Sequence, residues 1–368
     1  VLISQYYGSH DEKRISVCVH TSLALSIAIG LILTIIGIAT ARSSLVFLGV
    51  PSAILEYSLI YIYIYFIGFV VMMIYNMGCS ILRAIGDSKK PLYYLIVSCI
   101  INVILDILLV KYLSFGISGA AIATIIAQVV AMCMVVYSLM KNETAVKFYI
   151  KRMKMDLAMS VKIVKIGLPA AIQSMMYTLS NLVIASAINA YGVDTIAANT
   201  AYGKIDSIFW MIVQAFGIAM TTFVGQNYGA KKLNRVKKGI HLWLGFGISI
   251  SIILALIIYV YATPLLGIFN SDHNVVSIGM QILLLLTPYW CIYVPIEILS
   301  GALRGMGITF IPTVITALGI VGVRILWVIF VDLQHYQTLF MIYPLSWLLT
   351  SIAFLIYYFS GLYKKQLD

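Results

Sequence analysis

Long apolar runs alternate along the chain with short polar connections. Ten of them, at about 17–41, 52–82, 92–113, 117–140, 166–190, 196–225, 239–262, 275–303, 310–331 and 339–362, reach the roughly 20 residues a helix needs to cross a hydrocarbon core. A membrane strand needs only about ten residues, in strict alternation, so run length decides in favour of helices. The pattern predicts an all-α polytopic membrane protein with about ten transmembrane helices.

The polar connections repeat. The segment FVGQNYGAKKLNRV at 223–236 has a counterpart, LISQYYGSHDEKRI, at 2–15, an offset of 221 residues. The same offset pairs Gln5 with Gln226, Tyr7 with Tyr228, Gly8 with Gly229, Arg14 with Arg235, His20 with His241, Arg83 with Arg304, Gly86 with Gly307 and Pro91 with Pro312. Apolar composition alone would match Leu to Ile, but not Gln, Arg, His and Pro over so long a stretch, so the chain is an internal duplication. Two spans precede the repeated segment in the second copy and one residue precedes it in the first. An ancestral arrangement would therefore place roughly 55–60 further residues and two spans upstream of Val1. The expected organisation is an N-terminal bundle at 1–140 lacking its first two helices, a linker at 141–165 and a C-terminal six-helix bundle at 166–368. Six helices per copy is an even number, so two parallel-related bundles (6+6) are expected, turned about an axis along the membrane normal.

Each repeated segment is expected to end a helix at the cytoplasmic face, turning at Gly8 or Gly229 and continuing with basic residues beside anionic headgroups. Gln5 and Gln226 belong to the same corner. Arg83 and Arg304, followed by Gly86 and Gly307 and then by Pro91 and Pro312, read as a tight turn that stops one helix and starts the next. His20 and His241 are expected at helix starts beside the headgroups.

Composition agrees with the membrane class. Hydrophobic residues make up 62% of the chain and charged ones 10%, with a mean hydropathy of +1.02, whereas about a quarter of a soluble domain is charged. The net charge of +11 is explained by its placement. All but four of the 24 Lys and Arg lie in alternate connections, from Lys13 and Arg14 to the tail at Lys364 and Lys365; the four are Arg42, Lys111, Lys204 and Arg324. The positive-inside rule makes that set cytoplasmic. The C-terminus is then cytoplasmic in a multi-pass plasma-membrane protein, and nucleic acid is not needed to explain the charge. The basic, amphipathic linker is expected to lie along the cytoplasmic surface. The five cysteines sit in or beside apolar runs without zinc spacing, so they read as small core residues and no metal is expected. No HExxH, GxSxG or clustered His/Asp constellation marks an enzyme.

The motifs GQNYGA at 225–230, LRAIGDSKKP at 82–91, LRGMGITFIP at 303–312 and GISGAAIATIIAQ at 116–128 together resemble the multidrug and toxic compound extrusion (MATE) transporters. The resemblance covers nearly the whole chain. It implies an ancestral twelve-helix exporter, two six-helix lobes around a central cleft, that expels cationic, aromatic drugs or metabolites in exchange for H+ or Na+ with no other cofactor. It also implies acids in the first and fourth helices of the second half for sodium-coupled members, and an aspartate in the first helix of the first half for proton-coupled ones. The span at 166–190 holds no acid. A flippase of lipid-linked saccharides, from the same broad superfamily, is the alternative and would call for a basic cleft. A channel is a further possibility, though duplicated halves favour rocking alternation.

Candidate chemistry comes from polar groups that lipid makes costly. An ionised side chain at mid-bilayer costs about 2.5–3.5 kcal/mol on insertion scales, so it normally faces a cavity or a partner. Glu56, Asp106, Lys204, Asp206, Glu297 and Arg324 are the candidates. Helical spacing gathers further polar groups into stripes: Gln173, Tyr177 and Asn181; Asp206, Trp210 and Gln214; Tyr289, Tyr293, Glu297 and on to Arg304; and Ser98, Asn102 and Asp106. Such stripes either line a wet cleft or hydrogen-bond helix to helix. Interleaved acids and aromatics suit an organic cation, so the cleft is expected at the three second-half stripes, with Asp206 and Glu297 as the ion-coupling pair. Pro169, Pro288 and Pro295 each remove a backbone hydrogen bond and are the expected gating positions. A monomer with a small cationic substrate in a lipid bilayer completes the expectation.

Overall fold

A computed structural model of the chain describes residues 1–331 and 334–366. Helices make up nearly all of it, with no strand among the described residues. Nine of these helices are long and apolar enough to cross a membrane, ten if one bent pair counts as a single span. Two compact units emerge, Leu2–Ile163 and Val164–Asp368. The side chain of Lys365, part of the expected cytoplasmic tail, lies outside the described residues, as do residues 367–368 at the end of the expected second bundle.

The first unit runs through α1 (Leu2–Gly8), α2 (Glu12–Phe47), α3 (Ser52–Ile67), α4 (Phe69–Ala84), α5 (Lys89–Asp106), a π-helical stretch (Ile107–Tyr112) and α6 (Gly116–Met140). The run at 52–82, predicted as one span, is bent by 47° between α3 and α4. Gly68 stands at the bend, and a Cβ there would lie 2.6 Å from the Ile125 side chain, so a larger residue would require Ile125 of α6 to move. Ile15, Ile81, Leu82, Val135 and Leu139 fill the interior, while Leu31, Ile35, Ile100 and Ile104 stay exposed, as suits helices with lipid for solvent. Glu56 is no costly interior acid: it meets Arg42 at 3.2 Å with both side chains largely exposed, a pair worth at most about 1 kcal/mol.

The linker buries Val146 and Phe148 against the first unit. Its backbone is held there by α2: the Tyr149 N–H donates to His20 Nε2 at 3.1 Å, and the Asp156 N–H to Thr21 Oγ1 at 3.3 Å. His20 Nδ1 faces the Ser16 carbonyl at 2.7 Å. His20 is thus a buried clamp on the linker, because an irregular segment must find acceptors for its N–H groups. Its repeat partner His241 is exposed and stacks on Phe359.

The linker passes into α7 (Leu157–Ile188), inside which the unit boundary falls. The second unit continues with α8 (Val193–Gly229), α9 (Leu233–Val260), α10 (Ala262–Gly267), α11 (His273–Leu286), a 3₁₀ turn (Thr287–Tyr289), α12 (Trp290–Gly305), α13 (Phe310–Thr316), a second π-helical stretch (Ala317–Gly322), α14 (Val323–Phe330), α15 (Tyr336–Phe340) and α16 (Ile342–Phe359). Phe209, Trp290 and Trp347 are fully buried at its centre, and Phe209 stacks on Trp290 with ring centroids 4.6 Å apart.

The duplication is written into the helix boundaries. The starts of α2, α3, α4 and α5 at Glu12, Ser52, Phe69 and Lys89 return 221 residues later at Leu233, His273, Trp290 and Phe310. Capping repeats as well. Gly86 (φ 93°) and Gly307 (φ 91°) close α4 and α12. Each donates its N–H to Arg83 or Arg304 at 2.9 Å, and the next residue donates to Leu82 or Leu303, a paired hydrogen-bond cap that requires a left-handed residue. The same cap ends α1 and α8, but its left-handed residues are His10 (φ 56°) and Lys231 (φ 58°). Gly8 and Gly229, the expected turn residues, are instead the last helical residues. A Cβ at Gly86 would meet nothing within 4 Å, so Gly86→Ala introduces only backbone strain, about 1–2 kcal/mol. A drop of a few degrees in thermal midpoint is the expected result; an unchanged midpoint would contradict the cap.

Candidate functional site

A cavity of about 700 Å³ opens within the second unit, lined by α7, α8, α12 and α16 with single residues from α11, α14 and α15. The i, i+4 stripes supply a large part of its polar wall. Gln173, Tyr177 and Asn181 come from α7, Asp206, Trp210 and Gln214 from α8, and Tyr293 and Glu297 from α12. Tyr289, expected with them, is outside it. It stands at the repeat position of Gly68, in the 3₁₀ turn that separates α11 from α12, and the break puts it out of phase with the stripe. Lys204, two residues from Asp206 on α8, is exposed and away from the cavity.

Asp206 is the most closely bound acid of the site. Its Oδ2 accepts from Trp210 Nε1 at 2.7 Å and its Oδ1 from the Tyr202 hydroxyl at 3.0 Å, residues one helical turn to either side on α8. The Trp210 ring meets Tyr293 edge-on at 4.5 Å between centroids, and Tyr293 donates to the Tyr177 hydroxyl at 3.2 Å. Glu297 has space because position 217 lacks a side chain; a Cβ on Gly217 would collide with its carboxylate. Arg304, which the repeat marks as a corner residue, also lines the cavity and reaches Ser300 Oγ at 3.4 Å. Arg324 of α14 is 2% exposed. It donates to Asn181 Oδ1 at 2.9 Å, Ser346 Oγ at 3.3 Å and Ser180 Oγ at 3.4 Å, and its guanidinium lies 4.6 Å over the Tyr343 ring.

Sequence reading missed Tyr202, Arg324, Tyr343 and Trp347 as lining residues. Tyr343 and Trp347 do stand at i, i+4, but the last span is so rich in aromatics that the spacing carries no contrast. Arg324 follows a π-helical stretch, where a 3.6-residue count loses phase.

The prolines separate. Pro288 occupies the turn between α11 and α12, whereas Pro169 and Pro295 lie inside continuous helices. The Pro169 carbonyl accepts from Thr313 Oγ1 at 3.0 Å; with Gln173 Nε2 to Thr316 Oγ1 at 2.8 Å, this ties α7 to α13. In the first unit the Ser98 and Asn102 stripe bonds helix to helix, reaching the Ala127 carbonyl at 3.0 Å and Thr124 Oγ1 at 3.5 Å. Beside it, Asp106 Oδ1 and Gln128 Oε1 are buried without a hydrogen-bond partner.

Apolar helices of spanning length in duplicated arrangement, one copy holding a polar cavity, define a polytopic helical membrane protein. A family model described as MatE matches residues 1–108 and 169–329. The chain is 30% identical over 379 residues to the probable multidrug resistance protein YoeA of Bacillus subtilis (strain 168), covering 100% of this chain and 81% of that protein. It is 28% identical over 306 residues to the probable multidrug resistance protein YpnP of the same organism, covering 83% and 68%. A crystal structure of MATE in the bent conformation shares the fold with a TM-score of 0.90 at 20% identity, covering 100% of this chain and 83% of that one. The chain belongs to the MATE family.

Proposed function

We propose that the chain is a secondary active exporter of cationic or amphipathic drugs or metabolites, working by ion-coupled antiport with alternating access, and that the second-unit cavity is its substrate site. One observation carries this: a carboxylate, Asp206, held by Tyr202 and by Trp210, whose ring packs edge-on with Tyr293, in a cavity of about 700 Å³. An organic cation gains from the charge and the ring faces together, and cavities of roughly 300–1,000 Å³ take ligands of drug size. The relatives named as multidrug resistance proteins support the substrate class. Asp206 and Glu297 are the coupling groups in this reading, exchanging H+ or Na+ for substrate, and the turn at Pro288 is the hinge. Asp106 is the runner-up for coupling, since it holds a buried oxygen without a partner. A saccharide pyrophosphate would call for a cavity of net positive charge, whereas here Arg304 and Arg324 are matched in number by Asp206 and Glu297, so the flippase reading is not favoured. In this reading the chain works as a monomer in the plasma membrane with a cytoplasmic C-terminus, an orientation that the placement of the basic connections supports.

The test is transport by the full chain in proteoliposomes loaded with a fluorescent organic cation such as ethidium. An imposed H+ or Na+ gradient is expected to drive ethidium against its own gradient, with one ion effective and the other not. No movement under either gradient would contradict coupled export.

A further inference from the structure

The four charged groups of the cavity, Asp206, Glu297, Arg304 and Arg324, form no ion pair with one another or with any other described residue. Arg324 is the extreme case, a guanidinium almost wholly removed from solvent whose contacts are all neutral: an amide oxygen, two hydroxyls and a tyrosine face. Those contacts employ Nε and Nη1. They fix the plane of the group from two helices, α7 and α16, and leave the Nη2 corner with its two N–H donors unmatched by any described residue. Asn181, Ser180 and Ser346 accept from Arg324 as neutral oxygens, and neutral acceptors call for N–H donors, not for a charge. Neither the charge nor the free corner serves the packing. A buried cation left without a counter-charge is unfavourable, and a planar guanidinium with open donors is the side chain best shaped to take an oxyanion.

We propose that Arg324 binds the carboxylate of the transported substrate, so that the preferred substrate is a zwitterion: its anionic end on Arg324, its cationic aromatic end at Asp206, Trp210 and Tyr293. This rests on the reading of the cavity as the substrate site and narrows it from cations to amphoteric molecules. The empty site then holds both complementary charges apart, and the substrate joins them. A simple cation satisfies only one of the two and leaves the guanidinium without a partner, which is how the site discriminates against it.

The test compares rhodamine B, a zwitterion with a free carboxylate, with its ethyl ester, a cation of nearly the same shape. Binding of each to the purified full chain in nanodiscs is read by fluorescence anisotropy. Wild type is expected to bind the free acid about tenfold more tightly than the ester, one charge-assisted contact's worth of preference. Arg324→Gln is expected to bring that ratio to about one, and Arg324→Lys, which keeps charge but not the planar fork, to an intermediate value. Equal or weaker binding of the free acid to wild type would overturn the proposal. So would an Arg324→Gln protein that weakens both dyes alike and keeps the ratio, because that is the signature of a packing role. If Arg324→Gln does not elute as a folded monodisperse protein, the wild-type ratio and Arg324→Lys decide. Binding of neither dye to wild type would sink the cavity as a substrate site and this proposal with it; binding of both without preference would sink this proposal alone.

Discussion

Asp206→Asn is expected to lower gradient-driven export by roughly a hundredfold while leaving the fold intact. The amide matches the carboxylate in shape, and its oxygen can still accept from Trp210 Nε1, which sits 2.7 Å from Asp206 Oδ2. On the other side, the Tyr202 hydroxyl that donates at 3.0 Å can rotate to accept from the new NH₂, since a phenol does both. Packing and hydrogen bonds therefore survive, and only the charge is lost. A hydrogen bond or close contact to a charged group contributes about 1.5–3 kcal/mol, and each 1.4 kcal/mol is tenfold, which sets the expected scale. The initial rate of ethidium movement per folded protein in proteoliposomes is the measurement. Export at the wild-type rate would remove Asp206 from both substrate binding and coupling.

The second large effect is structural. Gly301→Ala is expected to destabilise the second unit by about 3 kcal/mol or more, because α8 and α12 touch there backbone to backbone. A Cβ on Gly301 would lie 2.6 Å from the Gly217 carbonyl oxygen and 3.2 Å from its Cα, distances no side-chain movement relieves. The helices would have to part. In doing so they would strain the Thr221 hydroxyl, which donates to both Gly217 and Gly301 carbonyls at 2.8 and 3.0 Å, and would loosen the Phe209–Trp290 stack. Overpacking of this kind costs about 1–3 kcal/mol where side chains can yield and more where only backbone is in the way. Small residues at such crossings are what allow membrane helices to approach. The control is Gly245→Ala in α9, where a Cβ would meet nothing within 4 Å and a small gain from helix propensity is expected. Thermal midpoints of the purified proteins read both; equal midpoints for the two variants would contradict the close contact.

Much of this was legible in the amino-acid sequence for a physical reason. Lipid forces each span to be long and apolar, so span number and rough limits follow from run length, and a single repeat offset carries through to helix starts and caps. What run length cannot carry is a break inside an apolar run. The bend at Gly68 and the 3₁₀ turn at Thr287–Tyr289 each sit inside one long apolar run, the second marked only by Pro288, and the second of these displaced Tyr289 from the stripe it was counted in. The α7 and α8 stripes were readable because unbroken helix preserves the i, i+4 count over Gln173–Asn181 and Asp206–Gln214. Arg324 was recognisable as an expensive charge but not as a cavity residue, since phase is lost across the π-helical stretch before it. The placement of His20 against the linker depended on a contact 129 residues away in sequence, which no local pattern encodes.

The second-unit cavity as the substrate site is tested most directly by photolabelling. An azido-substituted rhodamine ester would be photolysed on the full chain in liposomes and the attachment sites mapped by mass spectrometry. Labels are expected on α8 between Asn199 and Gln214 and on α12 between Tyr293 and Arg304, and should disappear with excess unlabelled ester. Label confined to residues 2–163, or unaffected by the competitor, would contradict it.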